Sequence, residues 1–103
     1  MTDLEITRLC AQAMGVDVHE STFNSGRIGL FPRTGYEYEP LHDDAECMAM
    51  VKKFRIWIMW DAEICNCSIA ADDEEKDGFV TQGSDLNRAI CECVAKFQQE
   101  RQK

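Results

Sequence analysis

The stretch DLNRAICECVAKFQQERQK, residues 85–103, repeats the pattern of one helix face. Its apolar residues stand three or four positions apart, at Leu86, Ala89, Ile90, Cys93, Val94 and Phe97. This spacing is typical of an amphipathic α-helix, and either Ser84 or Asp85 is suited to cap its first turn. Lys96 and Arg101 stand toward its end, where the helix dipole favours positive charge. So narrow an apolar stripe needs a sheet to pack against, and the preceding sequence offers one.

Two earlier helices are predicted from their first residues. Thr2 and Glu5 form a capping box, which predicts a helix at residues 3–14. Asp43 and Glu46 repeat the pattern and predict the start of a second helix. The residues expected to form the buried stripe of this second helix are Leu41, Ala45, Met48, Val51 and Phe54.

The strongest strand is predicted at residues 55–60, where apolar side chains occupy both faces. Ile56, Ile58 and Trp60 share one face, and Trp57 and Met59 share the other. Two apolar faces indicate either a central strand covered on both sides or a strand with one side that meets a partner.

Three further strands are expected, at residues 28–31, 64–71 and 79–82, whereas the rest of residues 16–40 is irregular. The order of helices and strands predicts an α+β fold. In this fold an antiparallel sheet of three to four strands packs with three helices in a layered, α/β/α sandwich-like arrangement. No linker or repeat divides the 103 residues, so we expect a single domain over residues 1–103.

Composition limits the function. The net charge is −8, which disfavours direct nucleic-acid binding, since phosphate contacts require a basic surface. No apolar run approaches the length of a membrane span, and the N-terminus lacks the features of a secretion signal. We therefore expect a soluble cytoplasmic protein whose charge either maintains solubility or attracts a basic partner.

The six cysteines fall inside predicted helices and strands, where a reduced thiol serves as a small apolar group. Cys65 and Cys67 share one strand face, and Cys93 could approach them from the last helix. These three residues define an alternative hypothesis, a zinc-binding or thiol-redox module. The one-residue gap between Cys65 and Cys67 lacks the knuckle of a structural zinc site, so we expect no metal.

Catalytic patterns are missing from the sequence. A cysteine nucleophile needs a nearby histidine, and His19 and His42 both fall at predicted loop or helix-start positions. No glycine-rich phosphate-binding motif is present. We therefore expect a protein that is not an enzyme, with no catalytic residues and no cofactor.

Three segments are candidates for binding a partner protein. The first alternates aromatic and acidic residues before a proline, at Tyr36, Glu37, Tyr38 and Glu39, and tyrosine is enriched at interfaces. An alternative interpretation places these tyrosines at the edge of the core. The second is the strand residue Trp57, which together with Met59 could also form a homodimer contact. The third is the charged loop that contains Asp72, Asp73, Glu74, Glu75 and Asp77.

Three segments carry a resemblance to a known family: LEITRLCAQAMG, YEPLHDDAECMAMVKKFRIWIMW and LNRAICECVAKF. The chain resembles the phage ABA-sandwich family and is similar to the NinX-like small phage proteins. The matching positions are Leu4-Glu5-Ile6, Gly15, Pro40, Asp44-Ala45 and Arg88-Ala89-Ile90-Cys91. Tyr36 and Tyr38 replace the tryptophan-rich segment that usually precedes the middle helix.

The resemblance implies an α/β sandwich made by a phage or prophage in the cytoplasm of a bacterial host, without catalytic residues to carry over. By analogy with other small acidic phage proteins, we expect an accessory protein that binds a host protein. Inhibition of a host defence complex, as by an anti-CRISPR protein, is one such activity. The alternatives are the metal or redox module and a self-associating structural domain.

Overall fold

The computed structural model describes residues 1–33, 35–69 and 79–102. In chain order the elements are α1 (Asp3–Met14), β1 (Val18–Thr22), β2 (Ile28–Pro32), α2 (Asp44–Phe54), β3 (Trp57–Asp61), β4 (Ile64–Ile69), β5 (Phe79–Gly83) and α3 (Leu86–Arg101).

All three of these helices begin at a capping side chain that the sequence predicted. Thr2 Oγ1 accepts the backbone N–H of Glu5 at 3.2 Å. The carboxylate of Asp43 accepts two N–H groups of the first turn of α2, at 2.9 and 3.2 Å. Asp85, one of two predicted caps for α3, accepts the N–H of Arg88 at 3.2 Å. These bonds satisfy N–H groups that a helix start otherwise leaves unpaired.

The buried face of α2 differs from the predicted one. Leu41 is buried and Val51 and Phe54 pack partly buried against the core, as predicted, but Ala45 and Met48 are exposed. Cys47 and Met50 are buried in their place. Glu46 is also used differently from the predicted capping box, because its Oε2 accepts the backbone N–H of Glu39 at 3.1 Å. The helix is therefore rotated relative to the prediction, and Glu46 fixes the incoming segment against it.

The described residues form two antiparallel sheets together with the three helices, which confirms the α+β class. β1 and β2 make a two-stranded hairpin, and the larger sheet has the order β3-β4-β5. β3 was predicted as a central strand or as one that meets a partner. The central position is wrong, since β4 occupies the centre and β3 lies at an edge.

Helix α3 connects the layers. It packs on one face of β4 and β5, and α1 and α2 pack against it in turn. The Sγ of Cys10 lies 3.4 Å from the carbonyl oxygen of Cys91, between α1 and α3. Thr81 Oγ1 of β5 donates to the carbonyl oxygen of Ala89 in α3 at 2.6 Å. The predicted helix lying on a sheet is therefore confirmed.

Strand β1 was not predicted as a strand, because its residues lack an apolar alternation. From His19 to Thr22 its side chains are exposed. It forms because β2 supplies a complete antiparallel partner, from Val18 opposite Pro32 to Thr22 opposite Ile28. Among the described residues, no helix has the length and apolar character needed to cross a bilayer.

Candidate functional site

The predicted Tyr/Glu segment divides between core and surface. Tyr38 is buried, and its backbone N–H donates to the carbonyl oxygen of Leu30 in β2 at 2.7 Å. Burial also raises the pKa of the Tyr38 hydroxyl. Tyr36 lies outside, with 95% of its surface exposed. Tyr38 is thus a core residue, and Tyr36 alone of the two rings is accessible to a partner.

The acidic residues of this segment are partly engaged within the protein. The two terminal guanidinium nitrogens of Arg27 donate to the carboxylate of Glu37 at 2.9 Å, and this pairing lowers the pKa of Glu37. Glu39 stands farther from the same guanidinium, at 3.9 Å. Arg27 therefore neutralises Glu37, one of the two carboxylates in this segment.

A cleft of about 300 Å³ lies beside this ion pair, between the start of α1, β2 and residues 37–42. Asp3, Glu37, Glu39 and His42 are among its lining residues. Asp3 is engaged at 2.8 Å by the guanidinium of Arg88. Asp3 and Glu37 are thus engaged in ion pairs, one linking α1 to α3 and the other linking the 37–42 segment to Arg27, directly before β2.

The most exposed apolar surface lies on the outer face of the larger sheet, opposite the face that carries α3. Trp57 and Met59 of β3 are 68% and 65% exposed, and Ile64 of β4 is 47% exposed. The register places them together, since Met59 faces Asn66 while Ile64 faces Asp61 across the β3–β4 ladder. We call Trp57, Met59 and Ile64 the outer-face patch. Contiguous apolar exposure of this kind marks an interaction surface.

The sequence did not identify Trp60 as a site residue. Alternation correctly placed it with Ile58 on the inner face, where it pairs across the ladder with the buried Cys65. Trp60 nevertheless stays 57% exposed. Trp60 lies directly before the Asp61–Ile64 turn. Its place next to a turn was the one feature of the sequence that indicated a side chain beyond the packed centre of the sheet.

A groove of about 450 Å³ opens on the inner side of β3, between β3, α2 and the first turns of α3. Its apolar lining comes from Met48, Ile58, Leu86 and Ile90, and we call it the α2–β3 groove. Asp44 and Asp85 also line it. The rotation of α2 that exposes Met48 therefore creates an apolar recess beside the free edge of the sheet.

All six cysteines are free and buried. The Cys93 thiol lies 3.8 Å from the carbonyl oxygen of Cys67, and the Cys65 thiol donates to the carbonyl oxygen of Gly83 at 3.1 Å. Burial raises the pKa of Cys67 to about 12 and that of Cys93 to about 11. In the part of the chain that the structure describes, no three His, Cys, Asp or Glu residues are arranged to hold a metal ion. The thiols contact backbone carbonyls and pack between elements.

The remaining predicted binding residues, Asp72, Asp73, Glu74, Glu75 and Asp77, lie outside the described residues. Of the predicted site, the structure therefore places Trp57 in an exposed patch, Tyr36 on a separate surface and Tyr38 in the core.

Comparisons with family models, curated proteins and solved structures found no match to this chain. The resemblance to the phage ABA-sandwich family thus remains a prediction from the sequence, and the case for a function depends on the geometry of the surface.

Proposed function

We propose that this chain is a non-enzymatic protein that acts by binding another protein through the outer-face patch. The observation that carries the proposal is the exposure of Trp57 and Met59, side by side on an uncovered face of the sheet. Tryptophan and methionine are enriched at interfaces, and a partly exposed tryptophan contributes strongly when a partner covers it. In a chain of net charge −8, apolar side chains exposed to this degree on one face indicate a surface that contacts a partner.

The chemistry of the partner follows from the charge. Asp61 and Glu63 adjoin the patch at the β3–β4 turn, and the whole chain is acidic. A partner with an apolar patch bordered by lysine or arginine would complement this surface and associate faster at low salt. Following the family resemblance, we propose a phage or prophage accessory protein in a bacterial cytoplasm. Its partner would be a host protein, such as a defence complex inhibited in an anti-CRISPR-like manner.

The test uses three immobilised proteins: wild type, the double variant W57S/M59S and the control variant Y36S. Tyr36 is more exposed than either patch residue, so its replacement alters the surface elsewhere. Proteins retained from a bacterial lysate by wild type are purified, and their affinities are measured at low and high NaCl concentrations. We expect W57S/M59S to weaken binding by at least tenfold, as for interface tryptophans generally, and Y36S to leave it unchanged.

Affinity for the purified partner should also fall with added salt. Thermal melts of the three proteins establish that they are equally folded. Equal binding by wild type and W57S/M59S would reject the outer-face patch as the binding surface. Binding that is insensitive to salt would reject the basic partner.

A further inference from the structure

The outer edge of β3 offers a short, defined set of backbone hydrogen-bonding groups. Asp61 and Ile64 flank the two-residue loop of the β3–β4 hairpin and form a hydrogen-bonded pair. Because such pairs recur at every second residue, the odd-numbered residues of β3 direct their N–H and C=O groups toward β4. Ile58 and Trp60 consequently direct theirs toward the free edge. The next residue in phase, Ile56, has already donated its N–H to the carbonyl oxygen of Val51 at 3.0 Å. The open edge therefore ends at Ile58 on one side and at Trp60 on the other.

The same two positions carry complementary shapes on the inner face. Ile58 forms part of the wall of the α2–β3 groove, and Trp60 projects from the sheet with more than half of its surface exposed. A recess and a protruding ring thus lie two residues apart on one strand. A two-fold axis through Met59 would bring the Trp60 of each copy opposite the Ile58 of the other. Isologous contacts of this kind are how two-fold dimers form.

We propose that the occupant of this edge is a second copy of the chain, paired antiparallel through β3 so that Trp60 of each copy enters the α2–β3 groove of the other. In this register Ile58 and Trp60 exchange both of their backbone hydrogen bonds, and the two three-stranded sheets become one of six strands. Pairing also covers an exposed edge, which otherwise invites uncontrolled association.

The pairing stays within β3. With Met59 on the axis, Trp57 of one copy lies opposite Asp61 of the other, and the ladder ends there. Arg55 is the left-handed C-cap of α2, and Glu63 belongs to the β3–β4 turn, so neither residue continues the strand pair.

The interface is small. Two tryptophans that are each 57% exposed bury on the order of 200–250 Å² between them, and strand pairing adds a limited area. Stable interfaces bury roughly 1,200–2,000 Å² in total, so we expect a weak dimer with a Kd in the micromolar range. The contact uses the edge and inner face of the sheet, and on the outer face it places Met59 of the two copies next to each other. The proposed function concerns a different protein on the outer face, so neither proposal requires the other.

The first test follows Trp60 itself. The chain has two tryptophans, so the variant W57F leaves Trp60 as the sole indole. Its emission should shift to the blue as the protein is concentrated from about 1 to 500 μM, in step with a doubling of mass by sedimentation equilibrium. The matched control W57F/M48R places a charge in the groove at an exposed position. It should stay monomeric with red-shifted emission.

The second test fixes the register. With Met59 on the axis, M59C places the new thiols of the two copies directly opposite each other, and a mild thiol oxidant should link them into a covalent dimer. W57C, whose thiols lie far off the axis in this register, should link much less. A monomer at 500 μM, a dimer in which Trp60 emission remains red-shifted, or a dimer in which M59C links no better than W57C would each overturn the proposal.

Discussion

At the scale of single residues, the cysteines serve as packing groups. Cys10 and Cys91 meet between α1 and α3, and the Sγ atoms of Cys47 and Cys91 lie 3.9 Å apart between α2 and α3. Burial suppresses ionisation, which raises the pKa of Cys67 to about 12. Since the thiolate is the reactive form, these sulfurs combine low accessibility with low nucleophilicity. This argues against the thiol-redox alternative and leads to a direct measurement.

We predict that the native protein reacts negligibly with an aromatic disulfide reagent at pH 8, whereas all six thiols react at once in denaturant. The six cysteines are buried, and a thiol whose pKa is near 11, such as Cys93, is almost wholly protonated at that pH. The measurement is the absorbance of the released thiolate, followed with and without guanidinium. One or more fast-reacting thiols in the folded protein would show that a cysteine is accessible and would revive the redox hypothesis.

At the scale of the elements, α2 shows why the spacing of apolar residues is insufficient to predict which face of a helix is buried. Met48 and Met50 stand two positions apart in a helix with apolar residues on more than one side, so the spacing fitted a face built on Met48. Burial of Met50 was decided by Cys47, which contacts α3 through the carbonyl oxygen of Asn87 at 3.6 Å. That partner lies forty positions along the chain and is invisible to a local pattern.

The two methionines therefore make a matched pair. We predict that Met50→Ala lowers the free energy of unfolding by about 3 kcal/mol, because it empties a fully buried position. Met48→Ala, which truncates a side chain that is 48% exposed, should change it by less than about 0.5 kcal/mol. Urea unfolding of both variants provides the comparison. The reverse ranking would restore the face of α2 that the sequence predicted.

The sheet shows the same division between local and distant causes. Alternation in β4 correctly assigned Cys65, Cys67 and Ile69 to one buried face, because that face is decided by the period of the strand itself. The edge position of β3 depends on where β5 pairs, and the exposure of Trp60 depends on how far α3 reaches. Neither is encoded in the local sequence. Of the outer-face patch, the sequence for that reason predicted Trp57 as a binding residue and Met59 only with it, in the alternative homodimer contact.

The Arg27–Glu37 ion pair links the β1–β2 hairpin to the following segment, alongside the backbone hydrogen bond from Tyr38 to Leu30. Arg27 lowers the pKa of Glu37, so the pair contributes stability that is present above the ordinary glutamate pKa of about 4.5. This contribution is lost as the pH falls through the lower, folded-state value. We predict that Arg27→Met destabilises the protein at pH 7 and that this loss diminishes as the pH falls below about 4.5, because protonation of Glu37 removes the ion pair from the wild type. Thermal melts across this range test it, with Arg33→Met as the control.

Arg33 suits that role because its nearest carboxylate, Asp17, lies 3.7 Å away and both side chains are more than four-fifths exposed. Such a pair contributes little in water. Equal destabilisation by both substitutions at pH 7, or a loss from Arg27→Met that does not diminish as the pH falls, would contradict the assigned role of the Arg27–Glu37 pair.

At the scale of the whole molecule, the net charge of −8 acts with opposite sign on the two proposed associations. Two copies of this chain repel each other over distances longer than a local ion pair, and salt screens that repulsion. We predict that the Kd of the dimer falls severalfold between 20 and 200 mM NaCl. Binding of a basic partner to the outer-face patch should weaken over the same range.

Sedimentation equilibrium of the free protein and titration of the purified partner measure these two effects separately. Neutral sucrose at matched osmolality controls for changes in solvent other than ionic strength. The dimer should also tolerate W57S, which leaves the edge of β3 intact, and the partner complex should tolerate M48R, which leaves the outer face intact. If both associations weakened with salt and both failed in the same variant, one surface would be serving both roles. The separation of edge and outer face would then be wrong.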